Sequence, residues 1–296
     1  MAASGRPPAP DDDSRDGRGF VPVEKLPELS RREREAVAAQ TRPNAALIHE
    51  TIRAEGVLEL ERKASALLFS GFAAGLSMGF SLLTEGLLMA GLPDASWRRL
   101  VASFGYTVGF LIVVLGRQQL FTENTITPVL PLLRQRDRTT LWRVLRLWGL
   151  VLAANMAGAW AFAAVLAHTA AFGPEVKDAL SRIARHVPDG AFWTVFLKAV
   201  FAGWLIALMV WLLPAAETSR PFIIVVVTYV VAIGGLAHVI VGSVEVLYLV
   251  ESGRAAWADF ALRFFAPTLL GNVVGGVALV AALNYGQVAP EIERNG

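Results

Sequence analysis

Long apolar stretches separated by short polar connections run through most of this sequence. An α-helix needs about 20 apolar residues to cross the ~30 Å hydrocarbon core of a bilayer. Six stretches reach or exceed that length: 65–92, 101–133, 141–172, 192–213, 222–250 and 257–285. The chain is therefore predicted to be an all-α polytopic membrane protein with six transmembrane helices.

The second stretch is interrupted in its middle by polar residues. The segment 116–125 places two glutamines, a glutamate and an Asn-Thr pair between apolar flanks. Irregular polar backbone at membrane depth is found only where protein buries it or where it lines a water-filled path. We predict that this span is a discontinuous helix whose break marks a permeation pathway. The fifth stretch carries a comparable break beginning at Gly234 and Gly235.

The two halves of the chain repeat each other. Asn155 and Asn272 begin similar Asn-x-x-Gly motifs at an offset of 117 residues, and the two breaks stand at a similar offset. Three spans followed by three like them must have opposite orientations. The expected fold is two inverted three-helix repeats, about 65–172 and 192–285, with helices 2 and 5 broken around a central site.

Charges outside the spans predict the orientation. Five arginines lie between residues 134 and 146, and Arg53, Arg62 and Lys63 precede the first span. By the positive-inside rule both regions face the cytoplasm. Basic residues in the connection before the fourth span weaken this argument without reversing it, because acidic residues offset them. An even number of spans then places both termini in the cytoplasm.

The segments that flank the spans have a different composition. Residues 1–28 are rich in proline and aspartate and are predicted to form a disordered tail. Residues 29–64 are predicted to be a cytoplasmic amphipathic helical arm along the membrane surface, the alternative being a soluble helix that packs on nothing. The six-span channel domain is expected at 65–285, followed by a C-terminal tail, 286–296.

Composition narrows the classes of function. The chain is 54% hydrophobic and only 18% charged, whereas about 25% of residues are charged in soluble proteins. The sequence has no cysteine, so it has no thiol nucleophile and no cysteine-based metal site. With no nucleophile–base pair or metal-spaced cluster, neither an enzyme nor a bound cofactor or metal is predicted. The net charge of +2 is interpreted as a signal of membrane orientation rather than of nucleic-acid binding.

His238 is the strongest single candidate for a functional residue. Of four histidines it is the only one deep within a span and beside a predicted break. An ionisable side chain at membrane depth indicates function, and imidazole exchanges protons near neutral pH. The alternative is a buried histidine bonded to a backbone carbonyl.

Thr122 and Asn124 lie in the first break. Each is expected to cap the following half-helix, to line a path, or both. Half-helix N-termini that point to the midplane favour an anion, whereas Glu123 opposes it unless that carboxyl is protonated or paired. Lys198 in the fourth span is a candidate partner for Glu123, the alternative being that its side chain extends to the membrane interface. Glu85 and Glu245 are further candidates for such pairing, and the sequence does not choose among them.

Several motifs together resemble the formate/nitrite transporter family. Residues 120–125, Leu-Phe-Thr-Glu-Asn-Thr, resemble its Leu-Phe-Thr-Gly-Asn signature, and parts of its third, fourth and sixth spans resemble 148–158, 204–211 and 270–276. The resemblance covers residues 45–285. It implies an aquaporin-like fold, a homopentamer with one pore in each protomer, and passage of small monovalent anions across the inner membrane.

The same resemblance assigns roles to individual residues. It implies that His238 is the central pore histidine and that Thr122 is its partner on the opposite broken helix. Leu120, Phe121 and Val231 stand at positions of the apolar or aromatic constrictions. The chain departs from the family's usual residues at Ala237, Gly242, Gly203 and Glu123, which leaves the substrate open.

The expected function is a channel or transporter for small monovalent weak-acid anions, linked to protons through His238. Removing water from such a charge in an apolar constriction is costly, and a proton supplied near His238 lowers that cost. An uncharged small-solute pore of the same fold is one alternative. A non-conducting membrane scaffold or sensor is another, and a transport assay separates it from the first two.

Overall fold

The computed structural model describes Ser30 and residues 43–186, 190–281 and 286–287. The described helices belong to one unit, Asn44–Gly296. The predicted tail 1–28, the start of the arm before Pro43 apart from Ser30, and all but two residues of the tail 286–296 lie outside the described residues.

Helices make up nearly all of the described chain. In chain order the α-helices are α1 Ala45–Glu61, α2 Ala64–Gly91, α3 Arg98–Ala102, α4 Thr107–Leu115, α5 Val129–Gln135, α6 Arg138–His168, α7 Pro174–Arg185, α8 Phe192–Leu212, α9 Arg220–Ile233, α10 Val239–Glu251 and α11 Ala266–Val273. Short 3₁₀ turns at Ser103–Tyr106 and Glu123–Thr125, and π-helical turns at Asp259–Phe265 and Val274–Ala281, extend or join them.

Five helical segments of the described chain are long and apolar enough to cross a membrane. They are Ala64–Gly91, Arg98–Leu115, Arg138–His168, Phe192–Ala215 and Asp259–Ala278. The fifth predicted span, 222–250, is divided into α9 and α10 by residues 234–238. Neither half reaches a spanning length alone, and α9 is a shorter apolar helix. The second predicted span, 101–133, is likewise divided, since α4 ends at Leu115 and α5 begins at Val129.

Glycines let the long helices approach closely at two equivalent places. In α2, a Cβ added to Gly75 would lie 2.2 Å from the Asn155 carbonyl oxygen in α6. In α8, a Cβ added to Gly203 would lie 2.4 Å from the Asn272 carbonyl oxygen in α11. Small residues at such crossings allow backbones to pack directly on one another. Each crossing brings a buried asparagine to the level of a helix break.

Helix α1 packs one side on protein, whereas its Leu47 and Leu58 are exposed. Asn44 caps the helix by accepting a hydrogen bond from the Leu47 amide. Ile52 is fully buried and belongs to an apolar cluster with Ile126 of the first break and Leu130 of α5. Over its described part, the predicted arm is therefore a helix that contacts the segment after the first break, and its position along the membrane surface stays a prediction.

Helix α7, between the third and fourth predicted spans, has no counterpart in the sequence prediction. Pro174 occupies its first turn, where the missing amide proton costs nothing. Leu180 and Ala184 are fully buried. The Leu180 side chain packs over Gly86 of α2, where an added Cβ would lie 2.4 Å from it. The connection therefore folds back onto the end of α2.

Candidate functional site at the two helix breaks

The backbone of the first break is held by one buried asparagine. Asn155 of α6 accepts a hydrogen bond from the Phe121 amide at 2.9 Å, and its side-chain amide donates to the carbonyls of Gln119 and Gly71 at 2.8 Å each. Buried backbone groups outside a helix need such partners, because an unpaired one is costly. The irregular segment after Arg117, which has a positive φ of 50°, is thereby fixed to α2 and α6.

The second break is held in the same manner. Asn272 of α11 accepts a hydrogen bond from the Val239 amide at 2.8 Å and donates to the carbonyls of Ala237 and Ala199 at 2.9 and 2.8 Å. Gly235 supplies the turn with a φ of 55°, a conformation that glycine adopts without steric cost. The two motifs that repeat in the sequence thus make matching contacts at the two breaks.

His238 and Thr122 meet between the breaks. The Thr122 hydroxyl oxygen lies 2.8 Å from His238 Nε2, and each residue is only 1% exposed. His238 is also the N-cap of α10, where its Nδ1 accepts from the Ile240 and Val241 amides at 3.3 and 3.4 Å. An accepting nitrogen carries no proton, so the neutral ring is protonated on Nε2. His238 therefore donates to Thr122, whose own hydroxyl proton remains available to another acceptor.

The N-cap geometry differs from both sequence-based expectations for these residues. The backbone partners of His238 are amides rather than a carbonyl. Thr122 and Asn124 do not cap a half-helix: neither the 3₁₀ turn after Thr122 nor α5, which begins after Pro128, has a side-chain cap. That prediction was wrong because the side chains turn inward, Thr122 to His238 and Asn124 to Gln119 Oε1 at 3.0 Å.

Apolar side chains surround the histidine. Phe110 packs edge-on against the His238 ring with centroids 5.0 Å apart, and Phe121 packs edge-on against Trp148 at 5.9 Å. Leu120 and Val231 are fully buried. A small polar pair is thus enclosed by hydrophobic groups, an environment in which a hydrogen bond is stronger and an unpaired charge more costly than in water.

A cavity of about 360 Å³ reaches His238 from one end of the molecule. Val231, Ala237 and Gly242 line it beside His238. Further lining residues are ionisable: Glu85, Asp94, Arg98, Arg99, Tyr106, Arg182, His186 and Glu245. We call this space the vestibule. It combines basic groups near the surface with two deeply buried carboxyl groups, Glu85 and Glu245, which are 8% and 4% exposed.

Helix α1 reaches the opposite side of the first break. Its Glu55 carboxylate forms an ion pair with Arg117 at 3.0 Å, and its Glu59 accepts from the Gln119 side chain at 2.9 Å. The Glu123 Oε1 atom is buried and has no hydrogen-bond partner in the described chain. Further along α1, burial lowers the pKa of His49, although the neighbouring Glu50 carboxylate opposes that shift.

The remaining predicted residues are not brought to the pair. Lys198 is partly buried in α8. No acidic group of the described chain lies within ion-pairing distance of it, so the structure does not pair it with Glu123. In the part of the chain that the structure describes, no cluster of three or more histidine or acidic residues suits a metal ion.

Sequence reasoning missed two features of the site. Asn155 and Asn272 were recognised only as markers of the repeat, although the recurrence of asparagine at matching buried positions was a signal for matching hydrogen bonds. The vestibule itself was missed, because Arg99, Tyr106 and Arg182 come from three separate elements that no local pattern connects.

The fold and the site define a membrane channel or transporter. Spanning helices surround two helix breaks that meet at one buried polar pair, and a cavity leads to it. Residues 46–286 match the formate/nitrite transporter family, and the chain belongs to that family.

Individual relatives agree with this assignment. The chain is 44% identical over 248 residues to the inner membrane protein YfdC of Escherichia coli, covering 82% of this chain and 79% of that protein. It is 27% identical over 246 residues to the formate channel BtFdhC of Bacillus thuringiensis, covering 79% and 91%. The activities named among such relatives are those of transporters and channels, so the prediction that the chain is not an enzyme is confirmed.

Solved structures share the fold at low sequence identity. A pentameric formate channel with formate bound superposes with a TM-score of 0.63 at 18% identity, over 75% of this chain and 96% of that one. An FNT family ion channel gives a TM-score of 0.69 at 16% identity, over 81% and 98%.

Proposed function

We propose that the protein conducts small monovalent weak-acid anions, each accompanied by one proton, past the Thr122–His238 pair. The main support for this proposal is the contact between these two side chains. The Thr122 hydroxyl and His238 Nε2 lie 2.8 Å apart, buried where the two helix breaks meet. The family membership and the named formate channels among the relatives support a formate-like permeant.

The chemistry of the pair suits an anion that passes as, or nearly as, the neutral acid. Nε2–H of His238 and the Thr122 hydroxyl are hydrogen-bond donors in an apolar setting, and the N-terminus of α10 adds a partial positive charge. An anion without a proton has a high free energy in this apolar setting. The hydrogen-bond donors and an accompanying proton therefore both lower the free-energy barrier to permeation. Leu120, Phe121 and Val231 form the apolar constrictions in this proposal, and Asn124 and Glu123 line the far side.

We propose the finer architecture of the sequence analysis as well. The chain forms six spans in two inverted repeats, 65–172 and 192–285, with helices 2 and 5 broken. The matching bonds of Asn155 and Asn272 support that repeat. In this proposal the protein assembles as a homopentamer in the inner membrane, as a pentameric formate channel of the same fold suggests. The arginines of 134–146 support cytoplasmic termini.

His238 acts in this proposal as a hydrogen-bond donor. Protonating Nδ1 would turn an N–H toward the two amides that it now accepts from, so the cap opposes an imidazolium. The hypothesis that His238 itself passes the proton stays a prediction. The behaviour of an asparagine variant decides between the two roles.

The test is formate uptake into proteoliposomes between about pH 5 and 8, where imidazole titrates. His238→Leu removes both donor and cap, and we expect uptake to fall at least about tenfold at every pH, as for a lost hydrogen bond to a charged group. His238→Asn keeps a good N-cap residue and an N–H donor, so it should restore part of the uptake with its pH dependence intact. Thr122→Ala should lower uptake less.

The matched control is His168→Asn, because His168 is exposed and pairs with Glu251 at the end of α10. It should transport like the wild type. If His238→Leu transports normally, the pair is structural and the proposal fails. If His238→Asn transports but loses its pH dependence, the imidazole carries the proton.

An uncharged-solute pore is the second candidate. Buried Glu85 and Glu245 in the vestibule favour it, because ionised carboxylates beside the path would repel an anion. Swelling assays with urea and glycerol, run beside formate uptake, separate the two. A wild type that admits neither anion nor neutral solute would indicate the scaffold or sensor.

A further inference from the structure

Two glutamates lie close to the deep end of the vestibule. Glu85 comes from α2 and Glu245 from α10, and both line the same cavity as His238. They are 8% and 4% exposed, so each carboxyl group is more than nine-tenths buried and yet faces a space large enough for water and a small solute.

Neither carboxyl group has a partner in the described chain. No hydrogen bond and no ion pair within 4.0 Å joins the side chain of Glu85 or Glu245 to any described residue. Among the described residues, Arg99 is the cation that acts on Glu85 electrostatically, and the Glu85 carboxyl acts on Glu245. A buried carboxylate without a partner is costly, and two carboxyl groups in one cavity oppose each other's ionisation.

Charged and titratable side chains from several helices face Glu85 and Glu245 in the vestibule. Arg98 is engaged with the Met89 carbonyl and with Asp94 at 3.5 Å, whereas Arg99 lies beside Gly235 of the second break, 3.5 Å from where its Cβ would be. The other titratable groups that face the space are Tyr106, Arg182 and His186, with His238 at the inner end. The same cavity thus holds exposed arginines, Arg99 and Arg182, that attract an anion, and a buried carboxyl pair.

We infer that Glu85 and Glu245 hold one proton between them and transfer it to the entering carboxylate before that solute reaches His238. The proton leaves a carboxyl O–H of the pair and bonds to an oxygen of the permeant, which becomes the neutral acid. The pair is left with both carboxylates ionised and takes a proton again from vestibule water in contact with bulk solution. This inference rests on the proposed function and deepens it by naming the proton donor.

The chemistry of the partners fits such a transfer. Donor and acceptor are both carboxyl groups, and loss of water disfavours the charged form of the permeant as it does that of the pair, so the proton moves between groups of similar acidity. His238 is unsuited to the same step, because its Nδ1 is occupied by the α10 amides and loss of its Nε2 proton would leave an imidazolate. In this scheme the glutamate pair supplies the proton, and His238 binds the neutral acid that results.

Infrared spectroscopy tests whether the proton is there. At neutral pH the wild type should show the C=O stretching band of a protonated carboxylic acid, and Glu85→Gln/Glu245→Gln should lose intensity equal to one carboxyl group per chain. Glu175→Gln, an exposed position on α7 outside the vestibule, is the matched control and should lose none. A double variant with undiminished intensity would overturn the inference.

Formate uptake in the same variants tests whether the proton is used. We expect the double variant to take up formate about tenfold more slowly at pH 6 and to respond less to pH, a loss of about 1.4 kcal/mol, while the control matches the wild type. Faster uptake in the double variant would mean that the carboxylates only repel anions, and unchanged uptake would mean that they are bystanders. Either result overturns the inference.

A wild-type titration guards against a variant that fails to fold. The carboxylic acid band and the uptake rate should decline together as pH rises, and a band that vanishes while uptake persists would count against the transfer. If the wild type takes up no formate at all, the proposed function itself fails. If the wild type takes up formate and the double variant behaves in the same way, the proposed function stands and the inference about the glutamate pair fails.

Discussion

Replacing Asn272 with alanine tests how the second break is held. The substitution removes three buried hydrogen bonds, from the Val239 amide and to the carbonyls of Ala237 and Ala199. Ala199 lies inside α8, where its carbonyl accepts from the amide four residues on. Two groups therefore lose their partner: the first amide of α10 and the carbonyl that precedes His238.

The cost follows from those two groups. An unsatisfied buried donor or acceptor costs about 1–3 kcal/mol, which gives roughly 2–6 kcal/mol. Hydrogen bonds between membrane helices average only about 0.6 kcal/mol, with a maximum near 1.7. We expect Asn272→Ala to lower the free energy of unfolding by about 2–4 kcal/mol, between those limits. Asn155→Ala should cost the same within about 1 kcal/mol, because the first break loses equivalent bonds.

The measurement is detergent-driven unfolding of the purified protein in mixed micelles. Ser243→Ala is the matched control: its hydroxyl donates to the Val239 carbonyl within α10, which the helix also satisfies, so less than about 1 kcal/mol is expected. Asn272→Asp should be at least as harmful as alanine, since a carboxylate oxygen would face two carbonyl oxygens. If Asn272→Ala costs no more than Ser243→Ala, the asparagines do not hold the breaks.

Two further predictions concern the parts around the channel. Gly56→Ala should release α1 and raise its hydrogen–deuterium exchange, because the added Cβ would lie 2.0 Å from the Thr127 carbonyl oxygen, just after the first break. Gly149→Ala is the control, since its added Cβ meets nothing within 4 Å and should change nothing. Unchanged exchange in both variants would refute the docking of α1. Hydrogen bonds from Thr140 to the Asp137 cap of α6 lower the pKa of the Asp137 carboxyl in the folded protein. The stability that this cap contributes is therefore fully present above the ordinary aspartate pKa, and it is lost as the pH falls through the lowered pKa of the folded state. Asp137→Ala should therefore destabilise the protein at pH 7 and not at strongly acidic pH, and an equal effect at both would contradict the cap.

Local sequence determined the helical class and the positions of the breaks. Apolar runs of membrane length have few alternatives to helices, because backbone groups in lipid must be satisfied within the segment. Polar residues at 116–125 and paired glycines at 234–235 cannot continue such a run unchanged, and α4 and α9 do end at Leu115 and Ile233. The family signature also singles out Thr122 and His238.

Tertiary structure alone decided what those residues do. The acceptor role of His238 Nδ1, and with it the proton on Nε2, depends on where the first turn of α10 lies. The inward turn of Thr122 and Asn124, which made the capping prediction wrong, depends on the approach of the opposite break. Glu85 and Glu245 are 160 positions apart in the chain and share one cavity only because α2 and α10 both wall it. Hydropathy and motif are properties of neighbours along the chain, whereas hydrogen-bond partners and shared cavities are set by which helices pack together.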